Sequence, residues 1–182
     1  MKSTSKYLLL LALAVPVIAL AESSVQPDAD KFICGDAEVT VHSNCLSFPE
    51  QERQCKTQSL QLHNASKGIS RTLQHAGKPI RQPFVHEGQV LDAIATGWAC
   101  VKSKSGISYV YVMYTCVEND NDPQCAGTDK EWEMLYGLDG KNFTKAIPRR
   151  GSARAKELER IYRRLGLQDT AAQPLQLQGV KY

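Results

Sequence analysis

The chain has 182 residues, with 22 lysines and arginines against 19 aspartates and glutamates, a formal net charge of +3. Its first 21 residues hold two of the lysines and none of the acids, so removing them would leave 161 residues with a net charge of +1. That length suits one domain with its own core. The small net charge gives no compositional support for a nucleic-acid partner, and we predict none.

Residues 1–21 have the pattern of a secretory signal peptide. Lys2 and Lys6 supply a positive start, residues 8–20 form an uncharged apolar run, and the chain then reaches Ala21 through a small-residue cleavage pattern. The run is shorter than the about 20 residues that a membrane span requires. We predict cleavage after Ala21, a periplasmic or secreted location, and no stable membrane insertion of the mature chain.

Six cysteines follow the predicted cleavage site. An even number of cysteines in an exported chain indicates disulfide bonds. Their spacing predicts the local pairs Cys116–Cys125 and Cys45–Cys55, and elimination then leaves Cys34–Cys100. The sequence contains no C-x-x-C motif, so it predicts neither a thioredoxin-like redox pair nor a paired-cysteine zinc site.

The first half of the mature chain predicts short strands separated by polar segments. Residues 22–30 are polar and include a proline, which predicts a flexible linker. Residues 32–41 alternate loosely, and residues 57–63 place two leucines on one face, so each segment predicts a strand. Residues 47–53 predict a loop. Glycines and prolines interrupt residues 65–87, which leave room for one or two short strands.

The clearest predicted element is a β-hairpin over residues 94–116, with its turn at residues 102–106. Its second strand is apolar on both faces, which predicts a central strand that is covered on both sides. In this register Cys100 lies opposite a residue near Tyr109. Cys116 is then several residues further along the strand, beyond disulfide reach of Cys100.

A second hairpin follows in the sequence. Residues 131–138 alternate between apolar and polar side chains, and the dipeptide Asp139-Gly140 is a strong turn signal. Residues 142–147 then predict a short returning strand. Together with the first hairpin, this pattern predicts a mostly antiparallel sheet.

One amphipathic helix is predicted near the C-terminus. Ser152 suits its N-cap and Gly166 its end. Its apolar stripe consists of Leu158, Ile161, Tyr162 and Leu165. The fold class is therefore α+β: a mostly antiparallel β-sheet with one C-terminal amphipathic helix, stabilised by disulfides. The predicted organisation is a signal peptide at 1–21, a flexible linker at 22–30, a single α+β domain at 31–166 and a loosely ordered tail at 167–182.

Residues 117–133 concentrate acidic and amide side chains around one cysteine. From Asp120, such groups recur at alternate positions and Glu131 is the twelfth residue, which echoes an EF-hand calcium loop. Cys125 occupies the sixth position, where that motif needs glycine, and the flanking segments predict strands rather than helices. A disulfide-closed turn accounts for the same residues without a metal. Calcium binding by this loop stays open, and we predict no cofactor.

The sequence assigns no catalytic residue. Glu131 and Glu133 share one face of a predicted strand, within the about 5–10 Å that a glycosidase carboxylate pair requires. Trp132, Met134 and Tyr136 claim the other face, so the pair is predicted to face solvent. With Asp139, these acids are the catalytic candidates in the alternative interpretation, a hydrolase.

The other residue types that carry chemistry form no motif. His42, His63, His75 and His86 make no metal-binding pair, and we predict that they lie on the surface or on edge strands. The chain also has no G-x-S-x-G nucleophile elbow and no glycine-rich phosphate loop.

Charge is segregated along the C-terminal third of the chain. Residues 118–139 have a net charge of −6, and residues 141–164 have a net charge of +7. Opposite charges on neighbouring elements suit a protein partner, because charge steers association. The candidate partner-binding residues are Arg160, Arg163, Arg164, Glu131 and Glu133.

Three classes of function remain after these exclusions. We expect a non-enzymatic exported binding protein, such as an inhibitor or an immunity protein that neutralises a toxin or enzyme. The alternatives are a hydrolase that acts on an envelope polymer and a structural component of the envelope.

Overall fold

The computed structural model of the chain describes residues 25–46, 54–81, 89–117, 132–144 and 152–167. These residues form nine strands, a short 3-10 helix at Ala65–Lys67 and one α-helix. The strands are β1 (Val25–Cys34), β2 (Ala37–Leu46), β3 (Gln54–Asn64), β4 (Ile69–Leu73), β5 (Pro79–Arg81), β6 (Gln89–Leu91), β7 (Ala93–Lys102), β8 (Ser108–Cys116) and β9 (Trp132–Gly137), and the helix is α1 (Ser152–Leu165).

The strands form two antiparallel sheets and a two-stranded ribbon. The first sheet has the order β1-β2-β3-β4, the second has the order β7-β8-β9, and β5 pairs with β6. Side chains of both sheets meet in one buried cluster, which we call the main core. α1 packs on the opposite face of the second sheet, where a smaller cluster forms the helix core. The predicted fold class is confirmed.

Alternate side chains along the strands are buried in the main core. Val39 and Val41 of β2 and Leu60 and Leu62 of β3 are at most 1% exposed. Burial of each such side chain contributes about 1.5–3 kcal/mol. The second sheet supplies Ala95, Trp98, Val110, Val112, Tyr114, Met134 and Tyr136 to the same cluster.

β8 is a central strand covered on both faces, as its apolar run predicts. Val110 and Val112 lie in the main core, whereas Tyr109 and Tyr111 lie in the helix core. The hairpin register is also confirmed, because Cys100 lies opposite Val110, next to Tyr109.

Two disulfides tie the strands together. Cys34–Cys100 joins β1 to β7 across the two sheets, and Cys45–Cys55 joins opposite positions of β2 and β3. Cys45–Cys55 is the pair predicted from the spacing, and Cys34–Cys100 is the pair left by elimination. None of the five described cysteines is free, but Cys125, the predicted partner of Cys116, lies outside the described residues. Disulfides persist in oxidising compartments, so these bonds are consistent with an exported protein.

α1 ends before Gly166, as predicted, and the helix core also includes Leu167, the residue after that glycine. Gly166 has a φ of 70°, and its N–H donates to the Arg163 carbonyl at 3.2 Å. The N–H of Leu167 donates to the Tyr162 carbonyl at 2.8 Å, which completes a Schellman motif. Leu167 is only 1% exposed and belongs to the helix core. The predicted tail boundary at residue 167 is therefore wrong by this residue.

The predicted linker at residues 22–30 is also wrong from Val25 onward. β1 begins there and pairs with β2 along its whole length. Asp28, Ala29 and Asp30 are exposed, because β1 is an edge strand at this end. Backbone hydrogen bonds hold such a strand without the hydrophobic alternation that a sequence pattern detects.

The single strand predicted over residues 32–41 is a hairpin. Gly35 has a φ of 62°, a conformation that side chains rarely adopt, and it turns the chain from β1 into β2. The second predicted hairpin turns as expected, because the Gly140 N–H donates to the Gly137 carbonyl at 2.9 Å. Its returning strand is reduced to one bridge between Tyr136 and Asn142, and residues 145–147 lie outside the described residues.

Candidate functional site

The exposed face of α1 carries the predicted arginines. Arg160, Arg163 and Arg164 are all exposed, whereas Ile161 between them is 8% exposed and belongs to the helix core. The apolar stripe therefore turns the basic residues toward solvent. Arg163 pairs with Glu159 at 2.7 Å, one helical turn away. We call this surface the basic face.

A groove borders the basic face where α1 meets the segment that follows β9. Its volume is about 350 Å³. It combines an aromatic and an aliphatic side chain, a hydroxyl group, two guanidinium groups and one carboxylate. In that order, these belong to Phe143, Ile161, Thr144, Arg160, Arg164 and Glu157.

Phe143 is held in place within this groove. Its ring meets Tyr109 edge-on, with 5.6 Å between the ring centroids. The ammonium group of Lys141 lies 5.4 Å from the centroid of the Phe143 ring, a cation–π contact. The backbone N–H of Phe143 also donates to the Leu135 carbonyl at 2.8 Å. The aromatic wall of the groove is therefore attached to the second sheet.

Thr144 is fixed by its neighbour Asn142. The Asn142 Oδ1 accepts from the Thr144 N–H at 2.9 Å and from the Thr144 hydroxyl at 2.8 Å. The Asn142 Nδ2 donates to Gln74 at 3.3 Å, which links this wall to the end of β4. Both residues of the wall thus have defined positions before any partner binds.

The charges in the groove are unequal. Arg160 and Arg164 are one turn apart on α1, and neither pairs with a carboxylate among the described residues. The Arg160 Nε donates to the Lys156 carbonyl at 3.2 Å, so its side chain lies along the helix. Glu157 is the acidic residue of the lining. Among the described residues, the groove is therefore net positive, and its guanidinium groups keep N–H donors without a carboxylate partner.

The acidic candidates occupy different places. Glu133 is half-buried and lies opposite Met113, which packs against the helix core, so it belongs to the face of the second sheet that carries α1. Asp139 lies in the hairpin turn, where its Oδ1 accepts from the Lys141 N–H at 3.0 Å. The strand between Glu133 and Gly137 already spans roughly 13 Å, so Glu133 and Asp139 are too far apart for a glycosidase pair. Glu131 lies outside the described residues.

A buried polar network is the feature that sequence reasoning missed. The Gln58 Nε2 donates to the Ser43 Oγ at 3.1 Å and to the Ala95 carbonyl at 3.0 Å. Its Oε1 accepts from the Ala95 N–H at 2.6 Å and from the His75 Nε2 at 3.0 Å. The His75 Nδ1 accepts from the Gly77 N–H at 2.9 Å. All four hydrogen-bonding positions of the amide are used.

His75 is half-buried rather than exposed and lies between β4 and β5, so the predicted surface or edge-strand position does not fit this residue. The ring is neutral, because one nitrogen donates and the other accepts. Burial lowers the pKa of His75, and the Gly77 bond and the charge of Asp92 oppose that shift. His42 and His63 are exposed as predicted, and His86 lies outside the described residues. No local signal distinguishes His75, since Gln58, the partner of its Nε2, lies 17 residues away on β3.

A second cavity, of about 330 Å³, crosses β1, β2 and β3. It opens beside Asp28, His42 and Thr57, and its lining includes Ser43 and Gln58. Both of these belong to the buried network, so their polar atoms already have partners within the fold.

Neither a metal cluster nor a membrane-spanning helix occurs in the described ranges. There, no group of three histidine, cysteine, aspartate or glutamate side chains is placed to hold a metal ion. The same part of the chain contains no helix that is long and apolar enough to cross a membrane. The acidic loop at residues 120–131, whose calcium binding the sequence leaves open, and the predicted signal peptide at 1–21 lie outside these ranges.

Comparison with known proteins adds no relative. No family model, no characterised protein and no solved structure matches this chain.

Proposed function

We propose that this chain is an exported binding protein, periplasmic or secreted, that neutralises a protein partner such as a toxin or an enzyme, and that it contacts the partner through the basic face of α1. The observation that carries this proposal is the division of α1 into two faces. Ile161 is buried against the second sheet, whereas Arg160, Arg163 and Arg164 are exposed beside the groove.

The division matters because the helix is anchored independently of its charges. Tyr162, Leu165 and Leu167 belong to the helix core or pack against it. The Lys104 N–H also donates to the Gly166 carbonyl at 3.1 Å, which ties the end of α1 to the β7–β8 turn. The arginines are therefore not required to hold the helix, and they remain available to attract an acidic surface.

Charge of this kind acts mainly on the rate of encounter. Complementary surfaces accelerate association, and the gain falls as salt screens the charges. The Debye length is about 10 Å at 0.1 M ionic strength and about 3 Å at 1 M. A partner with an acidic binding surface should thus bind quickly at low salt and much more slowly at high salt.

The test starts from the mature chain, used as bait for an envelope extract of its source organism. A retained protein is then purified, and its association rate is measured by stopped flow. The variant Arg160→Glu/Arg163→Glu/Arg164→Glu should associate about tenfold more slowly or worse at low salt. The difference should shrink at 1 M salt, where about 3 Å of screening length remains.

The matched control changes the same number of charges elsewhere. Lys67→Glu/Lys78→Glu/Arg81→Glu alters three exposed basic residues on the 3-10 helix and around β5. This control should associate at a rate closer to that of the wild-type chain. If the helix variant binds at the wild-type rate at low salt, or if both variants slow equally, the basic face is not the contact surface.

A further inference from the structure

The groove beside α1 is lined by apolar as well as charged side chains, so its composition suits more than general charge attraction. We propose that it is a recognition pocket for one acidic side chain flanked by an apolar side chain, presented by a loop of a protein partner. This inference rests on the proposed function and names the chemistry that the partner would bring. The guanidinium groups of Arg160 and Arg164 would bind the carboxylate, and Phe143 and Ile161 would contact the apolar neighbour.

The apolar half of the pocket is built before binding. Tyr109 and Lys141 both contact the Phe143 ring, Tyr109 with its ring nearly perpendicular and Lys141 over the ring face. Ile161 is fixed because it belongs to the helix core. A rigid aromatic wall lowers the entropic cost of binding, because few side chains need to be ordered. Aromatic side chains and arginines are also the residue types that contribute most at protein interfaces.

The polar half supplies donors that a carboxylate requires. Arginine presents a planar fork of N–H groups that matches the two oxygens of a carboxylate. Arg160 and Arg164 both line the groove, and no described carboxylate takes up their N–H groups. Arg163 projects from the same helix but does not line the groove, and it already pairs with Glu159. The helix therefore provides two arginines in the pocket and a matched arginine outside it.

The size and the remaining charge limit the occupant. A volume of about 350 Å³ lies at the small end of ligand pockets, which span about 300–1,000 Å³. It accommodates one or two side chains rather than a helix. Glu157 opposes a second negative charge, so the pocket suits a single carboxylate better than a multiply charged group. An anion without an apolar part would make no apolar contact with Phe143 or Ile161.

The pocket is tested with defined peptides and the full mature chain. The probe is acetyl-Gly-Leu-Glu-Phe-Gly-amide, and the controls are its glutamine analogue, acetyl-Gly-Gly-Glu-Gly-Gly-amide and inorganic phosphate. Binding is followed by amide chemical shifts of the ¹⁵N-labelled chain. We expect the probe to bind with a Kd of about 1 mM, the range of a weak single contact, with shifts centred on Phe143 and Thr144. Each control should bind at least about fivefold more weakly.

Four single variants then separate the pocket from the surrounding charge. Arg160→Gln and Arg164→Gln should each weaken the probe about fivefold, since each removes one charge-assisted donor. Glu157→Gln should tighten it about twofold or more, because it removes the opposing charge. Arg163→Gln, the matched control, should leave the Kd unchanged. Circular dichroism confirms that each variant retains its fold.

The outcomes distinguish this inference from the proposed function. If all three arginine variants weaken the probe equally, or if phosphate shifts the same amides at the same concentration, attraction is by charge alone and the pocket is refuted. Charge reversal on the basic face can still change the rate of association with the purified partner, so the proposed function stands in that case. The absence of any groove shift at about 10 mM probe, about tenfold above the expected Kd, also refutes the pocket.

Discussion

Two polar regions of this molecule differ in what their hydrogen-bonding groups do. In the buried network, the Gln58 amide uses all four of its positions on Ser43, Ala95 and His75. On the basic face, Arg160 and Arg164 line a groove without a described carboxylate partner. A polar group inside the fold must be satisfied because its desolvation is costly, whereas an exposed one can wait for a partner. A polar group whose hydrogen bonds are all made within the fold therefore indicates a structural role. A polar group without such bonds, at the wall of a formed groove, indicates binding.

The largest effect should come from breaking the buried network. Gln58→Leu would remove the hydrogen-bond partner of the Ala95 peptide groups, of the Ser43 hydroxyl and of the His75 Nε2, at about 1–3 kcal/mol for each buried group. We expect the free energy of unfolding to fall by about 4 kcal/mol, measured by urea titration and circular dichroism. Gln61→Leu, on the exposed face of the same strand, should change it by less than about 0.5 kcal/mol. Similar losses in both variants would mean that the network is not specifically stabilising.

The anchoring of α1 should be the next most sensitive point. Ile161→Asp would place an unpaired carboxylate in the helix core, and we expect a local loss of about 3 kcal/mol. Because the main core lies on the other face of the second sheet, the sheets should remain folded. Hydrogen exchange of the amides at residues 156–167 should accelerate, while exchange in β2 and β3 stays slow. Ile161→Leu, which conserves volume, should cost less than about 1.5 kcal/mol. Global unfolding of the Ile161→Asp variant would contradict the separation of the two cores.

Acid should weaken the buried network through His75. Burial lowers the pKa of His75 below its ordinary value of 6.5, so below that pH the unfolded chain binds more protons than the folded one. The contribution to stability is thus complete above pH 6.5 and is lost as the pH falls through the lowered pKa. Denaturation midpoints between pH 8 and pH 5, a span that brackets the titration of histidine, would measure this loss.

A matched comparison assigns the acid sensitivity to one ring. His75→Gln should be less stable at neutral pH, because the Gly77 N–H and Gln58 lose their partner, but its stability should depend less on pH. His63→Gln, at an exposed position of β3, should keep the pH dependence of the wild-type chain. An unchanged pH dependence in His75→Gln would exclude His75 as its source.

The smallest effect belongs to the ion pair on the basic face. Arg163 and Glu159 are 2.7 Å apart, with side chains that are 64% and 63% exposed. Exposed pairs at this helical spacing contribute about 0.3–0.5 kcal/mol. Arg163→Gln should therefore lower the free energy of unfolding by less than about 0.5 kcal/mol in thermal denaturation. A decrease in the free energy of unfolding of more than about 1 kcal/mol would show that the basic face stabilises the fold. The basic face would then not differ in role from the buried network.

Local spacing was enough to predict the parts of the fold whose partners are close in sequence. The hairpin of β7 and β8 follows from two apolar runs around a turn, and the end of α1 follows from Gly166. Cys45–Cys55 closes a sequence separation of 10 residues. In each case the same short segment contains both the signal and the interaction, so the pattern and the structure coincide.

The sequence by itself determined the fold class, the hairpin register and the basic, exposed face of α1, because periodicities of two and 3.6 residues decide which side chains share a face. Only the tertiary structure decided that residues 25–30 form an edge strand, that His75 is half-buried, and that Phe143 and Thr144 form a groove with Arg160 and Arg164. Gln58 bonds to Ala95 across a sequence separation of 37 residues, and Tyr136 donates to the Gln74 carbonyl across 62 residues. Such contacts depend on how the sheets stack, and no local pattern encodes that arrangement.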